Sequence, residues 1–122
     1  MNVIDSSAWI AFFKDEPSAG KFAGPISDTD KLVVPSITLT EVFKFICRHF
    51  DDHHALEAIA QMKRGIVVPL ESNLAVAAAE IGLQLQLPLA DSIIYATAIK
   101  FGALVWTLDA DFKDLPAVKY FP

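Results

Sequence analysis

One cysteine, Cys47, stands in 122 residues. That excludes an internal disulfide framework, and with it the small secreted scaffolds that depend on one. Long apolar runs are missing too. No strictly apolar stretch exceeds Leu74–Ala79, far short of the roughly 20 residues that cross a membrane as a helix. Basic charge is scarce: 10 Lys and Arg against 15 Asp and Glu give a net charge of −5, which argues against a generally basic nucleic-acid binder. A protein that brings phosphates to metal ions is not excluded, because clustered carboxylates themselves raise the negative count. Met1–Asp5 lacks the basic segment, long apolar core and cleavage site of a signal peptide, so a cytoplasmic protein is expected. No internal repeat, low-complexity tract or linker is visible. The length supports one domain, residues 1–122, and not two.

Apolar residues, by contrast, are abundant. At 53% they exceed the usual share of a soluble domain, which suggests surface kept apolar for a partner or an oligomer. Short β-branched runs at Asn2–Ile4, Leu32–Val34, Ile66–Val68, Ala103–Trp106 and Val118–Phe121 read as strands. Between them, apolar residues recur at helical spacing. Helices are predicted from Ser6 to Phe13, Ser18 to Ile26, Ser36 or Thr38 to about Phe50, and Asp51-Asp52 to Gly65. Two more follow: one capped by Ser72 and running to about Gln86, another opening at Ala90-Asp91-Ser92 and stopping at Gly102. A short turn or helix is expected at Phe112–Leu115. Ala75, Ala78, Ala79 and Gly82 share a face that permits close packing. Strands alternating with helices predict a three-layer α/β/α sandwich with a mainly parallel sheet.

Asp5, Glu41, Asp91 and Asp109 each sit where a strand gives way to a helix or turn. Each has an ordinary explanation. Asp5 and Asp91 suit helix caps. Thr38-Leu39-Thr40-Glu41 has the pattern of a capping box, and Asp109 suits a turn. As a set they say more. If the strands are parallel, all four lie on one edge of the domain, outside the carboxyl ends of the strands, where open α/β sheets bind ligands. Carboxylates converging there repel unless cations are present. All-oxygen ligation by small acids suits Mg²⁺ or Mn²⁺ better than Zn²⁺.

At this point a resemblance emerges. Asp5-Ser6-Ser7 follows the first strand, and Glu41 follows the second strand and Pro35. Leu89–Ala96 carries a central aspartate, and Leu104–Phe112 ends in Thr-x-Asp-x-Asp-Phe. No single piece is specific, but the four in this order resemble the PIN domain, in particular the small ribonuclease toxins of VapC type, over nearly the whole chain. The resemblance implies metal-dependent cleavage of single-stranded or looped RNA by Asp5, Glu41, Asp91 and Asp109. Asp111 joins them as a metal ligand, with Mg²⁺ or Mn²⁺ as cofactor. It further implies a small antitoxin made alongside and a habit of forming homodimers.

Ser7 and Thr107 are placed to orient these carboxylates. Lys44 and Arg48 share a helix face with Glu41 and are candidate phosphate contacts, against the commoner reading of solvated surface charge. His49, His53 and His54 have one spacing used by zinc ligands, but no cysteine pair completes a site. Trp9, Phe12, Phe13, Phe43, Phe45 and Phe50 at helical spacing favour core or interface over base stacking. Helices around Trp9–Phe13 or Phe43–Phe50 are the expected contact surfaces, and Phe12, Phe13, Phe43 and Phe50 could line a groove for a partner helix. A housekeeping nuclease of the same PIN type is the alternative to the toxin, and two alternatives remain beside the nuclease. One is a phosphatase-like acidic pocket on Asp109-Ala110-Asp111, which such enzymes carry on the first strand. The other is a non-enzymatic interaction module whose acids only cap.

Overall fold

A computed structural model describes all residues from 1 to 122. The chain forms β1 (Asn2–Ile4), α1 (Ser6–Phe13), α2 (Gly20–Ser27), β2 (Leu32–Pro35), α3 (Ser36–His49) and α4 (Asp52–Met62). It continues through β3 (Ile66–Val68), α5 (Ser72–Leu85), α6 (Leu89–Phe101), β4 (Leu104–Thr107) and β5 (Val118–Tyr120). Single 3₁₀ turns lie at Thr29–Lys31 and Ala110–Phe112. The second of these stands just ahead of the turn expected at Phe112–Leu115.

All strand pairings are parallel, in the order β3-β2-β1-β4-β5. Successive side chains of a strand point to opposite faces, and both faces here are covered. Val3, Val33 and Val105 pack with Leu74 and Ala78 of α5 and Ile94, Tyr95 and Ala98 of α6. Ile4, Leu32 and Val34 face the other way, onto Trp9, Phe22, Val42, Ile46, Ala58 and Met62 of α1–α4. The predicted three-layer architecture is therefore the observed one. It explains why the inner strands read as unbroken apolar runs instead of alternating. Truncating a fully buried residue such as Ile94 costs about 2–5 kcal/mol in such a core.

Helix ends follow local chemistry, with some departures from expectation. Gly102 closes α6 at φ 61°, a left-handed backbone that glycine adopts without a Cβ penalty. A Cβ on Gly82 would lie 2.5 Å from Ser92 Oγ, so the small-residue face of α5 does let α6 pack closely. Ser72 is not the cap of α5. Glu71 is, its carboxylate accepting from the backbone N–H groups of Asn73 at 3.0 Å and Leu74 at 2.7 Å. The capping box at Thr38 is also absent. α3 begins at Ser36, directly after Pro35, so Thr38 lies inside the helix and its hydroxyl donates to the Pro35 carbonyl at 2.7 Å.

The strand order fixes where a site can form. The chain steps outward from β1 to β2 to β3, then returns to place β4 on the other side of β1. The switch in direction lies between β1 and β4, and such a switch point opens a crevice beyond the strands' carboxyl ends. Asp5 follows β1 and Asp109 follows β4. α6 feeds the start of β4, so its first turn, carrying Asp91, projects toward the same crevice. No helix is long and apolar enough to cross a membrane.

Candidate active site at the sheet switch point

Asp5 leaves β1 in an extended conformation, its N–H bonded to the Trp106 carbonyl at 3.0 Å. It occupies the position before α1, yet its side chain caps nothing. Instead Asp5 Oδ2 accepts from Ser7 Oγ at 2.6 Å and from Thr107 Oγ1 at 2.8 Å. Each hydroxyl has a second duty. Ser7 Oγ accepts the Leu108 N–H at 3.1 Å, and Thr107 Oγ1 accepts the Asp109 N–H at 2.9 Å. Both hydroxyl protons are thereby aimed at Asp5, and the loop after β4 is tied to the start of α1. Ser7 and Thr107, expected to orient the carboxylates, both donate to Asp5 and to no other acid. Asp5 is only 3% exposed. Burial raises its proton affinity above the ordinary range, partly offset by Ser7 and Thr107.

Asp91, Asp109 and Asp111 converge, each offering a carboxylate oxygen within 4.8 Å of the others. Asp91 lies in the first turn of α6, whose capping position is Pro88, and makes no cap. Its pKa is pushed up to about 8, first by burial, then by the charges of Asp5 and Asp109, a hydrogen bond with Asp109, and the charge of Asp111. Asp109 does serve its turn, Oδ1 accepting from Asp111 N–H at 2.9 Å. That bond folds Asp111 back beside Asp91, so the turn and the cluster are one structure.

Glu41 lies outside this group of three. It is half-buried on α3, where its Oε1 accepts from Ser6 Oγ at 2.7 Å. The adjacent serines of α1 thus reach different acids, Ser7 to Asp5 and Ser6 to Glu41. Ser6 was not singled out by sequence reasoning. The Asp-Ser-Ser triplet contained the signal, since consecutive residues at a helix start project to different neighbours. Lys44 and Arg48 stand on the exposed side of α3 beside Glu41.

The histidines go elsewhere. His54 Nδ1 pairs with Asp51 at 2.8 Å and His53 Nε2 with Glu57 at 2.6 Å, both on the surface. His49 packs on Phe45, ring centroids 4.2 Å apart. No histidine or cysteine joins a group able to hold a metal.

The donor set suits a hard divalent cation. It consists of carboxylate oxygens only, which favours Mg²⁺ or Mn²⁺. One of its acids, Asp91, retains a proton near neutral pH, first because it is partly buried and then because neighbouring carboxylates repel its charge, and a cation would relieve that repulsion. Fold and site together define a parallel α/β domain with an acidic centre at the switch point of its sheet.

Comparison with known proteins agrees. The sequence matches the PIN domain over residues 3–118. The chain belongs to the PIN-domain family and has its nuclease fold. No curated protein matches it at the level of sequence. Solved structures match over the whole fold. The Mycobacterium tuberculosis toxin VapC20, described as cleaving the sarcin–ricin loop, superposes with a TM-score of 0.83 at 19% identity, covering 100% of each chain. A chain of a toxin–antitoxin complex from Klebsiella pneumoniae gives 0.81 at 19% identity, covering 98% of this chain and 96% of that one. VapBC2 from Rickettsia felis, solved on a DNA fragment of its promoter, gives 0.76 at 15% identity, covering 99% and 98%.

Proposed function

We propose that the chain is a metal-dependent endoribonuclease of VapC type, the toxin of a toxin–antitoxin pair acting in the cytoplasm. The observation that carries this reading is the convergence of Asp91, Asp109 and Asp111 beside the buried Asp5 at the switch point of a PIN fold. These acids, with Glu41 tethered through Ser6, are the proposed ligands of a Mg²⁺ or Mn²⁺ ion. When bound, such an ion supplies positive charge that activates water and offsets charge developing on the phosphate. The chain's own part is to hold the carboxylates in place. Ser7 and Thr107 fix the rotamer of Asp5, the Asp109 turn fixes Asp111, and Ser6 fixes Glu41. A site organised in this way loses little entropy when substrate binds.

Two surfaces support the proposed partners. A groove of about 650 Å³ between α1, α3 and α4 has an apolar floor that includes Phe13, Ile46, Phe50 and Ala58, and charged residues Lys14, Glu57 and Arg64 also line it; that mixture suits an amphipathic antitoxin helix. Of the four phenylalanines expected there, Phe13 and Phe50 line it; Phe12 and Phe43 do not. For a homodimer, Trp9 offers nothing, being wholly buried and stacked on Phe13. Phe43 and Phe50, on the other expected surface, do stay exposed, but the most exposed apolar side chains are Leu83 and Leu89, 83% and 79% exposed, which line an apolar cleft between α5 and α6. That face is the proposed self-contact.

Incubation of purified protein with structured RNA tests the enzymatic reading. Cleavage is expected with Mg²⁺ or Mn²⁺, should stop in EDTA, and should be absent in Asp91→Asn and Glu41→Gln. Equal cleavage by these variants would leave the acids as structural groups only.

A further inference from the structure

Beside Glu41, the outer face of α3 forms a cleft of about 290 Å³ lined by Thr40, Glu41, Lys44, Phe45, Arg48 and His49. We infer that this cleft is the track for the RNA strand flanking the scissile phosphate, with Lys44 and Arg48 holding backbone phosphates and the Phe45–His49 pair bearing a base. The inference rests on the ribonuclease reading and adds to it where the substrate lies.

Charge points to the occupant. The protein carries a net charge of −5, and its metal-site acids would repel a polyanion approaching from most directions. Lys44 and Arg48 form none of the ion pairs of the chain, which join Lys14 to Glu16, Lys100 to Glu71, and His53 and His54 to their acids. The acid closest in sequence to Lys44, Glu41, is engaged by Ser6, and the one closest to Arg48, Asp51, is engaged by His54. Arg48 and His49 lie in the last turn of α3, where cations complement the helix dipole. Lys44 lies mid-helix and gains nothing from that effect, so the dipole does not explain the pair.

Geometry adds direction. Positions 41, 44 and 48 follow one helix face, and at 1.5 Å per residue Arg48 stands about 10 Å along the axis from Glu41. The cations therefore lead away from the acidic centre instead of into it. Beside them, each one position further along the helix, the Phe45 and His49 rings lie 4.2 Å apart, tilted by 34°. An aromatic surface alongside phosphate contacts is how single strands are held without sequence readout.

The test uses the full-length chain carrying Asp91→Asn, which should bind RNA without cutting it. Fluorescence anisotropy of a labelled single-stranded RNA is followed against salt for this parent and for the same chain with Lys44→Gln and Arg48→Gln. Two lost phosphate contacts should weaken binding about tenfold at low salt and flatten the log–log salt slope by about 1.4. Lys44→Arg should keep the parental slope. An unchanged slope in the double variant, while wild type still cleaves RNA, overturns this assignment and leaves the nuclease reading standing. If wild type cleaves no RNA and the parent binds none, both fall together.

Discussion

Replacing Asp91 by asparagine removes a charge from the acidic cluster while keeping the side chain's shape. The structure sets both sign and size. Asp91 holds its proton more tightly in the folded chain, with a pKa of about 8 against an ordinary 3.8. The stability linked to this group is therefore fully present below about pH 4 and is lost as pH rises from there through about 8. Taken whole, that interval corresponds to about 5–6 kcal/mol. The side chain is only half-buried, so water screens part of it and about 2–3 kcal/mol is expected. Asparagine has no such loss. In metal-free buffer the variant should match wild type near pH 4 and exceed it increasingly toward pH 8. For a chain of 122 residues the difference reaches about 6–15 °C in Tm. Saturating Mg²⁺ should stabilise wild type, by about 2.7 kcal/mol at a hundredfold excess over Kd, and so raise its melting temperature; the variant should gain much less. Calorimetry or circular dichroism melts across pH check both arms. A Tm difference independent of pH, or an equal Mg²⁺ shift in both proteins, would refute the reasoning.

Thr107→Val removes the hydroxyl that donates to Asp5 and accepts from Asp109 N–H. It should cost about 1–3 kcal/mol in denaturant melts and depress cleavage, with Thr107→Ser restoring both; a silent valine variant would contradict the orienting role. Wild type should express poorly alone and well with its antitoxin, whereas Asp91→Asn should express well alone. Equal yields, together with no small partner recovered from the native host, would remove the toxin half of the proposal. Light scattering should find a dimer at micromolar concentration and a monomer after Leu83→Glu; a wild-type monomer at high micromolar concentration would count against self-contact through α5 and α6.

What the sequence made legible was local. The inner strands stand out because short β-branched runs apolar on both faces have few other uses, and Gly102 marks the end of α6 because its backbone is left-handed there. Asp5, Asp91 and Asp109 stand out because each follows a strand or lies in the first turn of a helix. Less legible were choices between neighbours of similar chemistry. Glu71 and Ser72 can both cap, and geometry picked the longer side chain. The pattern Thr38–Glu41 reads as a capping box until the helix start moves back to Ser36. Glu41 then finds its partner in Ser6, 35 residues away, a pairing that only the packing of α1 on α3 creates. Periodicity likewise marked the aromatic helices as apolar but not which residues stay outside. Trp9 went fully into the core while Phe43 and Phe50 stayed exposed, and the most exposed apolar side chains are Leu83 and Leu89.

The central claim is that the carboxylates at the switch point bind a divalent cation. A crystal soaked in Mn²⁺ and recorded at the manganese absorption edge tests it most directly. The account predicts an anomalous peak among the carboxylate oxygens of Asp91, Asp109 and Asp111, on the side of Asp5, and no peak there in Asp91→Asn. Manganese bound only elsewhere, or equally in both proteins, would contradict it.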